Sequence, residues 1–135
     1  MESMTLKCPV TVKAKVTEDL KKHMAESIQS NLQKVELELQ QIELQARRIL
    51  AEQAEADLQG IAAVRQQIEM EKHKRLDFKN QMLAKAQETE RLEIGSEIVQ
   101  GTLERVVEVK VGDKMPELMN AEILVEDGNI IAFRN

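Results

Sequence analysis

The stretch from Thr17 to Leu92 contains no proline and a single glycine, Gly60, and no other feature constrains the fold as strongly. Proline and glycine are the residues that most often interrupt helices, so this run reads as helix almost throughout. Within it an apolar seam alternates steps of three and four: Ala25, Ile28, Leu32, Val35, Leu39, Ile42, Ala46, Ile49, Gln53 and Ala56. That is the coiled-coil repeat, in which one face of a helix meets a partner helix at every turn. Thr17 with Glu18 and Asp19 gives the start, a hydroxyl cap followed by acids that complement the helix dipole.

A second stripe recurs every seven residues opposite the first: Leu37, Leu44, Ala51 and Leu58. Scattered leucines chosen for helix propensity would produce the same pattern. The alternative is a helix buried on two sides, against its own partner helix and against another subunit.

Gly60 is the natural turning point, because glycine takes the positive φ of a helix end at no steric cost, and the unequal arms leave open a turn a few residues before it or a first helix that extends past the second at its base. Beyond it Ile61, Val64 and Ile68 resume the spacing, and Leu76 with Leu83, or Phe78 with Met82, continue it less cleanly. An unbroken helix of about 110 Å is the rival, with Gly60 costing about 1 kcal/mol. The hairpin is preferred because it returns the chain to an otherwise unpaired N-terminal strand. A turn at Gly60 makes residue i face approximately residue 120 − i. Arg47 and Arg48 then lie beside Glu69 and Glu71, and a polar layer there would fix the register.

The flanks read as strands. From Pro9, Val10, Val12, Ala14 and Val16 alternate with Thr11, Lys13 and Lys15, the period of a half-buried strand. Pro9, lacking an N–H, belongs at its start or on an edge, and residues 1–5 carry no pattern. After Gly95-Ser96 the chain is extended from Glu97 to Val111, with a bend or bulge at Gly101. Pro116 to Met119 suits one helical turn, with Met115 or Leu118 turned into the core. Two short strands flank Asp127-Gly128, a tight-turn signal. The expected architecture is therefore α+β in one domain. Residues 9–16 and 95–135 form a four- or five-stranded antiparallel sheet or partial barrel, and 17–93 form a long antiparallel helical hairpin on it.

The layout and the motifs Gly95-Ser96-Glu97-Ile98, Val109-Lys110-Val111-Gly112-Asp113 and Glu122-Ile123-Leu124-Val125 before Asp127-Gly128 resemble the YlqD family of bacterial proteins. One departure is Lys114-Met115, where an aromatic residue is expected nearby. The resemblance supports the fold and implies no chemistry.

The residues themselves argue against an enzyme. Glu69, His73 and Asp77 share a helix face that could hold a divalent ion, but ion pairing with neighbouring lysines explains them more simply. Cys8 has no activating base near it in sequence, and as the single cysteine it excludes an intrachain disulfide and fits a reducing compartment. No glycine-rich phosphate loop precedes a helix. The net charge of −5 leaves no strongly basic segment for nucleic acid, and with aromatic residues at 1% there are no stacking platforms for single strands. No catalytic residue, cofactor or metal is expected. The expectation is a cytoplasmic, non-enzymatic scaffolding or interaction protein that self-associates through its second stripe and has an unidentified protein partner, without direct nucleic-acid binding or membrane association. A chaperone-like clamp gripping clients at Leu58, Ile61 and Val64, or an accessory factor in RNA or ribosome maturation, is the alternative.

Overall fold

The computed structural model describes residues 2–53 and 58–135. It is an α+β fold with three helices and a four-stranded mixed sheet. The chain divides into two compact units, a sheet unit of Met1–Lys22 with Leu92–Asn135 and a helical unit of His23–Arg91.

In the sheet unit, β1 (Ser3–Lys15) is flanked by β2 (Glu97–Lys110) and β3 (Ala121–Glu126), and β4 (Asn129–Arg134) lies outside β3. The strand thus begins at Ser3, not Pro9, because the first residues find partners on β2: Ser3 opposite Lys110 and Met4 opposite Val109. Pro9 faces Glu104 on one side, and pairing with β3 starts only at Val10. It therefore stands where β1 is paired on one side alone, the edge condition a proline tolerates.

The sheet is not purely antiparallel and does not close. A short connection through helix α3 (Met115–Met119) makes β3 run opposite to β2, and β2 is antiparallel to β1. With both strands flanking β1, β3 must run parallel to it, as Val10–Ala121 through Ala14–Val125 do. Sequence periodicity shows which residues alternate but not on which side of β1 the chain returns. The extra residue in β2 falls at Gln100, between the pairs Val12–Gly101 and Lys13–Val99, which is a bulge at the expected place.

Although no backbone ladder joins β2 to β4, their side chains meet. Arg134 of β4 donates to both carboxylate oxygens of Glu97 on β2 at 2.6 and 2.9 Å. In a flat sheet these strands would be about 14 Å apart, at roughly 4.8 Å per neighbour. The sheet therefore curls.

Burial on β1 follows the even positions, with Cys8, Val10 and Ala14 buried and Val16 continuing the set, together with Ala121 and Leu124 of β3. Leu118 of α3 is half-buried, whereas Met115 is exposed and plugs nothing. Asp127 and Gly128 both adopt positive φ, 47° and 84°, the requirement of a two-residue hairpin turn.

Helices α1 (Glu18–Gln53) and α2 (Leu58–Arg91) make up the helical run. Thr17 caps α1, its Oγ1 accepting the N–H of Leu20 at 3.1 Å. At the far end of α2, Gly95 at φ 90° donates to the carbonyl of Val16 at 2.8 Å, and the N–H of Val16 donates to Ser96 at 2.7 Å. The chain thus re-enters the sheet beside the point where it left. Lys21 Nζ donates to the carbonyl of Leu92 at 2.9 Å, a cation on the carbonyls that follow the helix. Gly60 is not a helix end. It lies inside α2, and residues 54–57, between α1 and α2 in sequence, lie outside the described residues.

Candidate interaction surfaces

The pairs between α1 and α2 differ from those that a turn at Gly60 gives. Glu36 pairs with Lys79, Glu38 with Arg75 at 3.4 Å and Glu43 with Lys72, and Asn31 Nδ2 approaches Met82 Sδ at 3.8 Å. Partner numbers on α2 fall as those on α1 rise. Each partner also comes earlier on α2 than a turn at Gly60 requires. The predicted layer of Arg47 and Arg48 with Glu69 and Glu71 is accordingly displaced. Arg47 and Arg48 are exposed, Glu71 accepts from Arg75, and Glu69 lies 4.0 Å from Lys72 of its own helix. A polar layer does exist where the apolar spacing of α2 lapses, but α1 supplies the acids and α2 the bases.

Of the predicted seam, Ile28, Val35 and Ala46 are buried. Leu32, Leu39, Ile42, Ile49, Ile61, Val64 and Ile68 are half-buried. Ala25 is exposed, and Ala56 lies outside the described residues. On α2 the least exposed positions continue through Glu71, Lys72, Arg75, Lys79, Met82, Ala86 and Thr89, so Leu76, Phe78 and Leu83 do not join them. Sequence reading missed this continuation because its middle is charged. The aliphatic stems of Lys72, Arg75 and Lys79 cover the seam while their heads reach acids. The hydrogen bond from Lys72 and its charge hold the Glu43 carboxyl below the usual carboxylate range, and the Glu43 bond raises Lys72.

Opposite the seam, Leu37 and Leu44 are 59% and 65% exposed, and Ala51 is exposed as well. The side chain of Leu58, the fourth residue of the predicted stripe, lies outside the described residues. A heptad separates Leu37 from Leu44, which places them two turns apart on one face.

His73 Nε2 sits 3.4 Å from Asp77 Oδ2, both exposed, as an ordinary pair one turn apart. Among the described residues no group of three His, Cys, Asp or Glu is placed to hold a metal ion. Cys8 is buried in β1 opposite Arg105. Arg105 Nη2 donates to the carbonyls of Glu117 and Leu118 at 3.3 and 3.5 Å, anchoring α3, while its Nε is buried without a partner.

The sheet carries a surface that periodicity alone did not mark. A groove of about 550 Å³ is lined by Val10, Leu103, Ala121, Ile123 and Phe133, with Glu104, Arg105, Glu122 and Arg134 around it. Among the described residues no helix is long and apolar enough to cross a membrane.

The model of the family described as YlqD protein matches residues 4–134. The fold is similar to the crystal structure of a protein of unknown function from Synechococcus sp. WH 8102, at 26% identity and a TM-score of 0.82, covering 98% of this chain and 95% of that one. No curated protein matches the chain.

Proposed function

The chain belongs to the YlqD family, and we propose that it is a non-enzymatic scaffolding protein whose helices form an antiparallel coiled-coil hairpin that self-associates. The falling series Glu36–Lys79, Glu38–Arg75 and Glu43–Lys72 supports the antiparallel reading. The observation that carries self-association is the contrast on α1 between buried Val35 and Ala46 and exposed Leu37 and Leu44. A hairpin needs one apolar face. A second, at heptad spacing, fits the same stripe on another copy, with α1 packed on α1 across a two-fold axis.

The setting proposed is the cytoplasm, with a protein rather than nucleic acid as any further partner. The clamp reading needs exposed apolar residues at the end of the helices, and Ile61 and Val64 are half-buried, so it gains no support.

Sedimentation of the intact protein tests the proposal. The double change Leu37→Glu with Leu44→Glu should lower the sedimenting mass while helical content is kept. Wild-type protein whose mass does not fall with that change would end it.

A further inference from the structure

A positive charge stands on an otherwise apolar face of the sheet. Side chains on a strand alternate between faces, and Val10 pairs with Leu103 and Ala121 while Ile123 pairs with Phe133. Arg105 lies two residues beyond Leu103 on β2, opposite Cys8, and so shares their face. Val10, Leu103, Arg105, Ala121, Ile123 and Phe133 line a groove of about 550 Å³. Glu104, Glu122 and Arg134 belong to the opposite face, where Arg134 reaches Glu97 and Glu122, and Glu122 reaches Lys13. Among the described residues that line the groove, Arg105 is therefore the one charge on the groove's own face.

That charge is half-buried and unmatched. Nη2 donates to the carbonyls of Glu117 and Leu118 at 3.3 and 3.5 Å, which is long for hydrogen bonds. Nε is buried without an acceptor, and among the described residues no carboxylate pairs with the guanidinium. A guanidinium drawn partly out of water without a counter-charge is unfavourable, and an anion beside it offsets the loss. The apolar walls are in the same condition. Phe133 is 78% exposed and Leu103 57%, so an occupant of the groove buries both.

Size and chemistry define that occupant. A volume of about 550 Å³ falls within the range of small-molecule pockets, whose apolar walls carry a few polar groups that orient the ligand. One cation matches one negative charge. A carboxylate meets the planar guanidinium fork with two parallel bonds, whereas a phosphate dianion would keep a charge unmatched. We propose that this groove binds a small carboxylate with an aliphatic or aromatic body, its head on Arg105 and its body along Val10, Leu103, Ala121 and Ile123 against Phe133. The long bonds to α3 let the guanidinium turn, and its Nε–Nη2 edge then meets both oxygens of the head group. The inference goes beyond the scaffolding role of the helices and does not rest on it.

Calorimetric and NMR titrations of the intact protein with decanoate, kept below the concentration at which it forms micelles, test the site. Decanol and decylamine serve as the uncharged and cationic counterparts. Decanoate should saturate a single site and shift the Nε–H resonance of Arg105 together with the methyl signals of Val10, Leu103 and Ile123. Decanol should bind at least about tenfold more weakly, because it lacks the charge-assisted bonds, and decylamine should not bind. Arg105→Met should lower the affinity for decanoate to that for decanol and leave decanol unaltered, a pattern that general loss of structure would not give. Because Arg105 also holds α3, Leu103→Glu supplies a second route. That position is exposed, circular dichroism should show the fold retained, and the added carboxylate should abolish decanoate binding. Equal affinity of the wild type for decanoate and decanol would overturn the proposal, as would no saturable binding of decanoate. So would saturation that leaves the Arg105 Nε–H unmoved, or that persists unchanged in both variants.

Discussion

The hydroxyl of Thr17 donates to Oδ1 of Asp127 at 2.6 Å while accepting the N–H of Leu20 at 3.1 Å. One side chain thereby caps α1 and holds the turn between β3 and β4, although the two partners are 110 positions apart in sequence. Replacing Thr17 by Val keeps the shape and removes both bonds. Loss of an N-cap costs about 1 kcal/mol, and an exposed hydroxyl–carboxylate bond adds less than a buried one would. Chemical denaturation of Thr17→Val should show a loss of about 1–2 kcal/mol. A cycle with Asp127→Ala should show that the two sites are coupled, which a cap acting alone would not give.

Helix register offers the next check. If the cross-helix pairs fix it, Arg75→Glu sets three carboxylates together, at positions 38, 71 and 75. Exposed pairs are worth about 0.2–1 kcal/mol each and like charges cost a similar amount, so the loss should be about 1 kcal/mol. Adding Glu38→Arg should restore part of it. Arg48→Glu, the change that a turn at Gly60 would make disruptive, should have little effect because Arg48 is exposed and Glu69 and Glu71 have other partners. Thermal melts of the four proteins compare the two registers directly.

The same shift separates what the sequence could reveal from what it could not. The seam of α1 was legible because Ile28, Val35 and Ala46 are apolar and regularly spaced. The seam of α2 was not, because Glu71, Lys72 and Arg75 occupy seam positions and match the surface pattern of any charged helix. Gly60 lies inside α2 rather than at a helix end, and there is a physical reason. A glycine inside a helix costs about 1 kcal/mol relative to alanine, and the packing of a long helix pair can absorb that. The alternation of Val10 to Val16 disclosed the buried face of β1. The parallel pairing of Val10 with Ala121 depends on which side of β1 the chain returns, and the groove beneath Phe133 depends on that in turn. A residue pattern with a period of two carries neither piece of information.

Acid should loosen both units through depressed carboxylates. Hydrogen bonding from Arg134, and its charge, holds Glu97 below the usual carboxylate range, and Lys72 does the same for Glu43. In that window the unfolded chain binds more protons than the folded one. The contribution is thus complete above the ordinary carboxylate pKa and is lost as pH falls through the lower folded value. At the alkaline end, Lys72 is raised by its bond to Glu43, so its share is complete below the ordinary lysine pKa and is lost as pH rises through the folded one. Melting temperature against pH should therefore fall at the acid limb, and Glu97→Gln should flatten part of that fall. An acid limb unchanged in Glu97→Gln would show that its bond to Arg134 contributes nothing measurable.

Two alanine substitutions on α1 distinguish a face that holds the fold from one that holds a partner. Val35 is 2% exposed in the seam, and removing its two methyl groups loses their transfer energy and leaves a cavity. Core truncations of this kind cost about 1–3 kcal/mol. Leu44 is one heptad beyond Leu37 on the opposite face, and an exposed position that touches nothing within its own chain changes stability by less than about 0.5 kcal/mol. At low protein concentration, where copies are separate, Val35→Ala should lower the unfolding free energy and Leu44→Ala should not. If the stripe joins two copies as proposed, Leu44→Ala weakens association at high concentration, and its melting temperature should then fall below that of wild type. A Leu44→Ala protein as stable as wild type at every concentration would mark the leucine as one chosen for helix propensity alone.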